Sequence, residues 1–147
     1  HKLETPKDKL PVNYYRPFNP QHPTAVWIRL CVENYTYAAK VAVHLAEEYT
    51  FRYNRVHSCE FHARWLSENL PDFSKNINLP YQFSKKKVNL SFNNKFQKMG
   101  MTQPPLAMPD DSMCDNVIQS YRKYYILHKK NFVKWTNRSI PWWFYFM

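Results

Sequence analysis

Glycine is almost absent from this sequence. Gly100 is the single glycine among 147 residues, beside eleven prolines. Nucleotide cradles and many tight turns depend on glycine, because it alone adopts positive φ angles without steric cost. The near-absence excludes phosphate-binding loops, dinucleotide-binding fingerprints, nucleophile elbows and glycine-containing helix-hairpin-helix signatures as the source of a function.

Cysteine and long apolar runs are also scarce. Cys31, Cys59 and Cys114 are odd in number and widely spaced, which favours reduced, buried thiols over a disulfide framework. No stretch approaches the roughly 18 apolar residues of a membrane span, and residues 1–10 are polar rather than signal-like. We therefore expect an intracellular protein that is not secreted and has no membrane partner. The chain opens on His1 rather than Met, which fits a fragment or a processed product.

The composition is that of a folding chain. Hydrophobic residues make up 44% and aromatic residues 18%, against 22% charged. Disordered chains are poorer in apolar residues and richer in charge of one sign. The length suits one hydrophobic core, so we predict a single domain over residues 1–147.

Proline and helical spacing divide the first half. Prolines interrupt residues 1–23, which predicts an extended arm across the core. Residues 24–54 lack proline and glycine and predict one long helix or two abutting helices, with Thr24 as the cap. A further helix over residues 58–70 is expected to bury Phe61 and Trp65 as a pair. The stripe predicted to face the core comprises Tyr35, Ala38, Ala39, Ala42, Leu45, Ala46, Tyr49 and Tyr53.

The second half predicts a long irregular connection and one more helix. Residues 71–109 are rich in proline and asparagine, with a short edge strand expected over 88–92. The last helix is expected to begin near the aspartates at 110, 111 and 115 and to continue past Lys134, since these charges suit the helix dipole. Its packing face would carry Val117, Tyr121, Tyr124, His128, Phe132 and Trp135.

These patterns together predict a mainly α fold. We expect a compact helical domain of three to four helices, with an extended N-terminal arm and a long irregular connection. The aromatic tail, residues 136–147, is too apolar to stay in water, so it is expected to dock on the domain or on a partner.

Positive charge is concentrated in the second half. The net charge is +10, and residues 1–70 carry nine Lys or Arg against seven Asp or Glu, whereas residues 71–147 carry twelve against four. Such asymmetry predicts an anionic partner, here DNA or RNA. Residues 122–138 would grip phosphates while neighbouring rings stack on bases. The predicted contacts are Arg122, Lys123, Lys129, Lys130, Lys134 and Arg138, with Lys85, Lys86 and Lys87 as a second group.

Both parts of this interface have a structural alternative. The cations can be the solvated face that any soluble helix needs. Trp135, Trp142 and Trp143 can be core residues rather than stacking platforms.

A polar cluster suggests a second function. Glu48, Arg52 and His57 could surround an anionic substrate and move a proton, and His22 would join them if the arm folds back. This constellation predicts a small enzyme acting on a nucleotide, a base or DNA. The alternative is an i,i+4 surface pair of Glu48 with Arg52 and a capping or interior His57.

No cofactor and no metal site are predicted. His57, Cys59 and His62 are close in sequence, but five residues between two histidines do not place them on one helix face. A third possibility is a structural component of a virion or other large assembly. Its tail, residues 141–147, would then bury against a protein partner or a second copy.

Scattered blocks over nearly the whole chain carry a resemblance to a known family. The blocks are residues 22–29, 34–35, 48–53 with His57, 107–110, 121–125, and 134–136 followed by Pro141. They resemble a family of small uncharacterised proteins encoded by tailed bacteriophages and large DNA viruses. The resemblance implies a viral or phage setting, in a host cell, and a role near nucleic acid or nucleotides. Family members are expected to carry an additional N-terminal segment with a Cys-Asp-Lys-His-type motif.

Overall fold

The computed structural model describes residues 15, 16, 18–73 and 100–145. The chain forms two compact units, His1–Gln82 and Phe83–Met147. The fold is mainly helical, with four α-helices and no strand in the described ranges, which confirms the predicted fold class. The single domain stays a prediction. The strand over 88–92 and most of the predicted arm and connection lie outside the described residues.

Helix α1, Pro23–Ile28, begins one residue earlier than predicted. His22 is its cap, because the His22 Nδ1 accepts a hydrogen bond from the Thr24 backbone N–H at 3.2 Å. Pro23 suits the first helical position, since its fixed φ is already helical and its missing N–H has no partner to lose there. The prediction of Thr24 as the cap was therefore wrong.

Helix α2, Val32–Tyr53, follows closely, so the alternative of two abutting helices is confirmed. Asn34 is fully buried, and its Nδ2 donates to the carbonyl of the buried Trp27 at 2.9 Å, which ties α2 to α1. The helix ends at Asn54, whose φ of 50° is left-handed and whose N–H donates to the Thr50 carbonyl.

Helix α3, Glu60–Glu68, packs on α2 through small residues. Ala39 and Ala46 of α2 and Ala63 of α3 are buried. The Tyr35 hydroxyl lies 3.1 Å from the Leu66 carbonyl and 3.4 Å from that of Asn69. Burial raises the pKa of this hydroxyl, which keeps it protonated and able to donate.

Three predicted core positions of the first unit are corrected. Leu45 and Tyr53 of the α2 stripe are 64% and 43% exposed, and Phe61 is 61% exposed. Cys59 is exposed as well, although the cysteines were predicted to be buried thiols. Phe61 is two residues from the buried Ala63, which turns it by about 200° around the helix axis. Because α3 presents Ala63 to α2, Phe61 faces away, and the predicted buried pair with Trp65 was wrong.

The second unit is built around a shorter helix than predicted. Helix α4 covers Val117–Tyr124 and continues as a π-helical turn over Tyr125–Lys129. Single 3₁₀ turns cover Asp110–Ser112 and Trp142–Phe144. None of the described helices has the length and apolar character required to cross a membrane.

Candidate nucleic-acid interface

Asn116 fixes where α4 begins. Its side-chain oxygen accepts hydrogen bonds from the N–H groups of Ile118 at 2.9 Å and Gln119 at 3.1 Å. The fully buried Ser120 hydroxyl accepts from the Cys114 N–H at 2.9 Å and holds the preceding loop against the helix. Asp110 and Asp111 therefore lie in a separate turn, and the prediction that they start the helix was wrong.

The π-helical turn decides which side chains share a face. A π turn holds more residues per turn than an α-helix, so side chains after Tyr124 rotate away from an α-helical register. The chain then leaves the helix, with the N–H groups of Phe132 and Val133 both donating to the Lys129 carbonyl. The predicted helix face over residues 122–138 is therefore too long, and Lys134 and Arg138 follow the helix rather than lie on it.

Arg122 lies against the aromatic tail. Its guanidinium carbon is 5.2 Å from the centre of the Trp142 ring and 5.6 Å from that of Trp143. The ring quadrupole attracts a cation at this distance. The tail residues 141–145 thus dock on their own unit, one of the two outcomes predicted from their apolar character.

A network of rings holds this docking in place. Tyr125 contacts Trp135 and Trp143 with ring centres 6.2 and 6.1 Å apart, and Trp135 contacts Phe144 at 5.5 Å. Trp135 and Trp143 are only half-buried. Their contacts match the structural alternative, in which these tryptophans support the fold.

Lys129 repeats the pairing of a cation with rings. Its Nζ lies 5.3 Å from the centre of the Tyr124 ring and 5.4 Å from that of Phe132. Phe132 is 65% exposed, although the α-helical spacing placed it on the packing face. The π turn and the helix end explain this correction, since both come before Phe132 in the chain.

An acidic group lies beside the cations. The His128 Nε2 is 3.0 and 3.1 Å from the two carboxylate oxygens of Asp111 and donates to them. This hydrogen bond lowers the pKa of Asp111, and the charge of nearby Lys123 lowers it further. The charge of Lys123, one of the predicted phosphate contacts, is therefore partly offset by Asp111.

Some of the remaining predicted phosphate contacts lie within the described residues and others lie outside them. Lys130, Lys134 and Arg138 are exposed, after or at the end of the π turn. Lys85, Lys86 and Lys87 lie outside the described residues. The structure thus places Arg122 and Lys129 each beside aromatic rings. The distribution of charge along the sequence did not indicate these pairings.

The four predicted catalytic residues make local contacts. His22 caps α1, and the Arg52 Nε donates to Glu48 at 2.7 Å as the predicted i,i+4 pair. The His57 Nδ1 accepts from the Cys59 N–H at 3.1 Å, and its ring packs on Tyr49. The structural alternatives for these residues are therefore what the structure presents.

A cavity of about 360 Å³ lies between α2 and α3 in the described part of the first unit. His57 is the only one of the four predicted catalytic residues that lines it. Within the described ranges, no three His, Cys, Asp or Glu side chains are grouped as a metal ion would require. The walls of the cavity are Ala42, Leu45, Ala46, Tyr49, His57, Cys59 and Ala63.

Comparison with family models, curated protein sequences and solved structures finds no match to this chain. The functional argument therefore depends on the residues themselves.

Proposed function

We propose that the second unit binds nucleic acid by contacting phosphates through its Lys and Arg side chains. The pairing of Arg122 and Lys129 with aromatic rings carries the proposal. A guanidinium over a ring keeps its N–H groups at the edge, where they can donate to phosphate oxygens. Because the rings already restrict both cations, less side-chain entropy is lost when a phosphate binds.

The charge of the two units supports the same assignment. In the described part of the first unit, residues 15–73 without 17, six Lys or Arg are matched by six Asp or Glu. In the described part of the second unit, residues 100–145, six Lys or Arg face three Asp. A polyanion is therefore attracted more strongly by the second unit.

The setting belongs to the same proposal. We propose that this nucleic acid lies in an infected host cell, and the resemblance to proteins of tailed phages and large DNA viruses supports that setting. The sequence and the fold favour neither DNA nor RNA, so the experiment uses both.

The test is a titration of fluorescently labelled DNA and RNA, single-stranded and duplex, at about 50 mM and about 200 mM salt. We expect micromolar or tighter binding at the lower concentration. If all six cations of residues 100–145 contact phosphates, affinity falls by roughly 300-fold for a single strand and roughly 2,000-fold for a duplex. Absence of binding at low salt would contradict the proposal.

A further inference from the structure

Two aromatic rings of the second unit are exposed although each has a cation beside it. Trp142 is 67% exposed with Arg122 over its ring, and Phe132 is 65% exposed with Lys129 over its ring. Large exposed rings gain little from folding, and rings with a cation alongside are what a stacking site requires. These two pairs therefore combine an accessible ring surface with a charge.

The neighbouring rings have a different position. Trp143 and Phe144 follow Trp142 directly, yet they are half-buried and pack on Tyr125 and Trp135. The 3₁₀ turn over Trp142–Phe144 thus separates rings that hold the tail from a ring that faces solvent. The residues that follow Trp142 hold the tail in place, and the Trp142 ring itself remains exposed.

We infer that the ligand of this surface is single-stranded nucleic acid, whose unpaired bases stack on Trp142 and Phe132 while Arg122 and Lys129 contact phosphates. The inference rests on the proposed function. A single strand offers the flat face of each base, whereas a duplex hides those faces in its own stack and exposes only base edges in its grooves. Exposed rings distinguish between these ligands, and cations alone do not.

The spacing of the two cations suits a strand of several nucleotides. Arg122 and Lys129 are seven residues apart along a helical segment, a rise of about 10 Å. That distance equals about three nucleotides at the rise of a stacked strand. A strand of a few nucleotides therefore covers the axial separation of the two cations.

The test compares labelled 20-nucleotide single strands, of DNA and of RNA, with the matching duplexes at low salt. The variants are Trp142→Leu and Phe132→Leu, which keep an apolar side chain and remove the ring. Phe18→Leu is the matched control, since Phe18 is a 94% exposed ring of the first unit. Circular dichroism and thermal unfolding establish that each variant is folded.

We expect the unmodified protein to bind single strands more tightly than duplexes. Each ring variant should weaken single-strand binding by roughly 5- to 150-fold, the range for loss of one stacked base, and leave duplex binding within about twofold. The Phe18→Leu control should bind like the unmodified protein. Phe132→Leu keeps the test decisive if Trp142→Leu disturbs the tail.

Two results would overturn the inference. If single strands and duplexes bind with equal affinity and the salt dependence is still steep, the preference for single strands is contradicted, but the proposed nucleic-acid binding is not. Unchanged single-strand affinity in both ring variants would also contradict the inference, and a drop in sedimented mass in those variants would then assign the rings to self-association. Absence of binding to every nucleic acid is a different result, because it contradicts the proposed function itself.

Discussion

Arg122 shows how a single side chain can be prepared for a ligand by its neighbours. The guanidinium lies over Trp142 and Trp143, so its position is restricted before a phosphate arrives. A lysine at the same position would retain the charge but lose the flat contact and the fixed fork of N–H donors. The identity of this residue therefore matters as well as its charge.

Removal of the Asn34 side-chain amide should destabilise the first unit. Asn34 is fully buried, and its amide donates to the Trp27 carbonyl across the junction of α1 and α2. Asn34→Ala leaves that carbonyl without this donor, and we expect the free energy of unfolding to fall by about 1–3 kcal/mol. Urea unfolding followed by circular dichroism measures the change.

Lys40→Ala is the control for Asn34→Ala, since Lys40 is an exposed residue of the same helix. Its effect should remain within about 0.5 kcal/mol. Equal stability losses in the two variants would contradict the role given to the Asn34 amide.

Among the elements, the 3₁₀ turn Asp110–Ser112 is joined to the π turn by Asp111 and His128. The hydrogen bond from His128 holds the pKa of Asp111 below its ordinary value of 3.8. A carboxyl whose pKa is lowered by folding stabilises the fold at pH values above its unfolded pKa. That contribution is lost as the pH falls through the lowered, folded pKa.

The matching experiment compares Asp111→Asn with the unmodified protein in urea at several pH values. The difference in unfolding midpoint should be full at pH values above the unfolded pKa of Asp111 and should shrink as the pH falls through the lowered, folded pKa. Asp110→Asn is the control, since it removes one negative charge from the adjacent residue and leaves the hydrogen bond between His128 and Asp111 in place. Identical pH profiles for the two variants would show that the pair contributes nothing specific.

Local sequence patterns predicted the elements of the first unit better than those of the second. The run without proline or glycine over residues 24–54 correctly indicated helix, because those two residue types are the strongest helix breakers. It left open one long helix or two abutting helices, and the structure has two. The buried side of α3 was harder to predict. Which face packs depends on the partner helix, and here the small Ala63 allowed closer approach than Phe61.

The second unit shows why a helical pattern can mislead. Aspartates near residue 110 and lysines near residue 130 suit the ends of one helix, yet Asn116 and the Ser120 hydroxyl begin it later. Spacing of 100° per residue also assumes a regular helix, and the turn Tyr125–Lys129 breaks that assumption. The exposure of Phe132 follows from this irregularity and could not be read from periodicity.

At the scale of the whole molecule, the location of positive charge was the part of the candidate site that could be predicted from the sequence. The excess of cations in the second half is a property of composition and needs no fold. The pairing of Arg122 with Trp142 joins residues 20 positions apart through a docked tail, so it required the structure. The common pocket predicted for His22, Glu48, Arg52 and His57 also depended on tertiary placement. Of these four residues, His57 lines the cavity between α2 and α3.

The most direct test of the central claim is the salt dependence of single-strand binding in two charge variants of equal net charge. Lys130→Gln with Lys134→Gln removes two exposed cations of the second unit, and Lys40→Gln with Arg55→Gln removes two exposed cations of the first. If the second unit contacts phosphates, the slope of log K against log salt should become shallower by about 1.4 for the first pair and stay unchanged for the second. Equal slopes for both pairs would contradict the account.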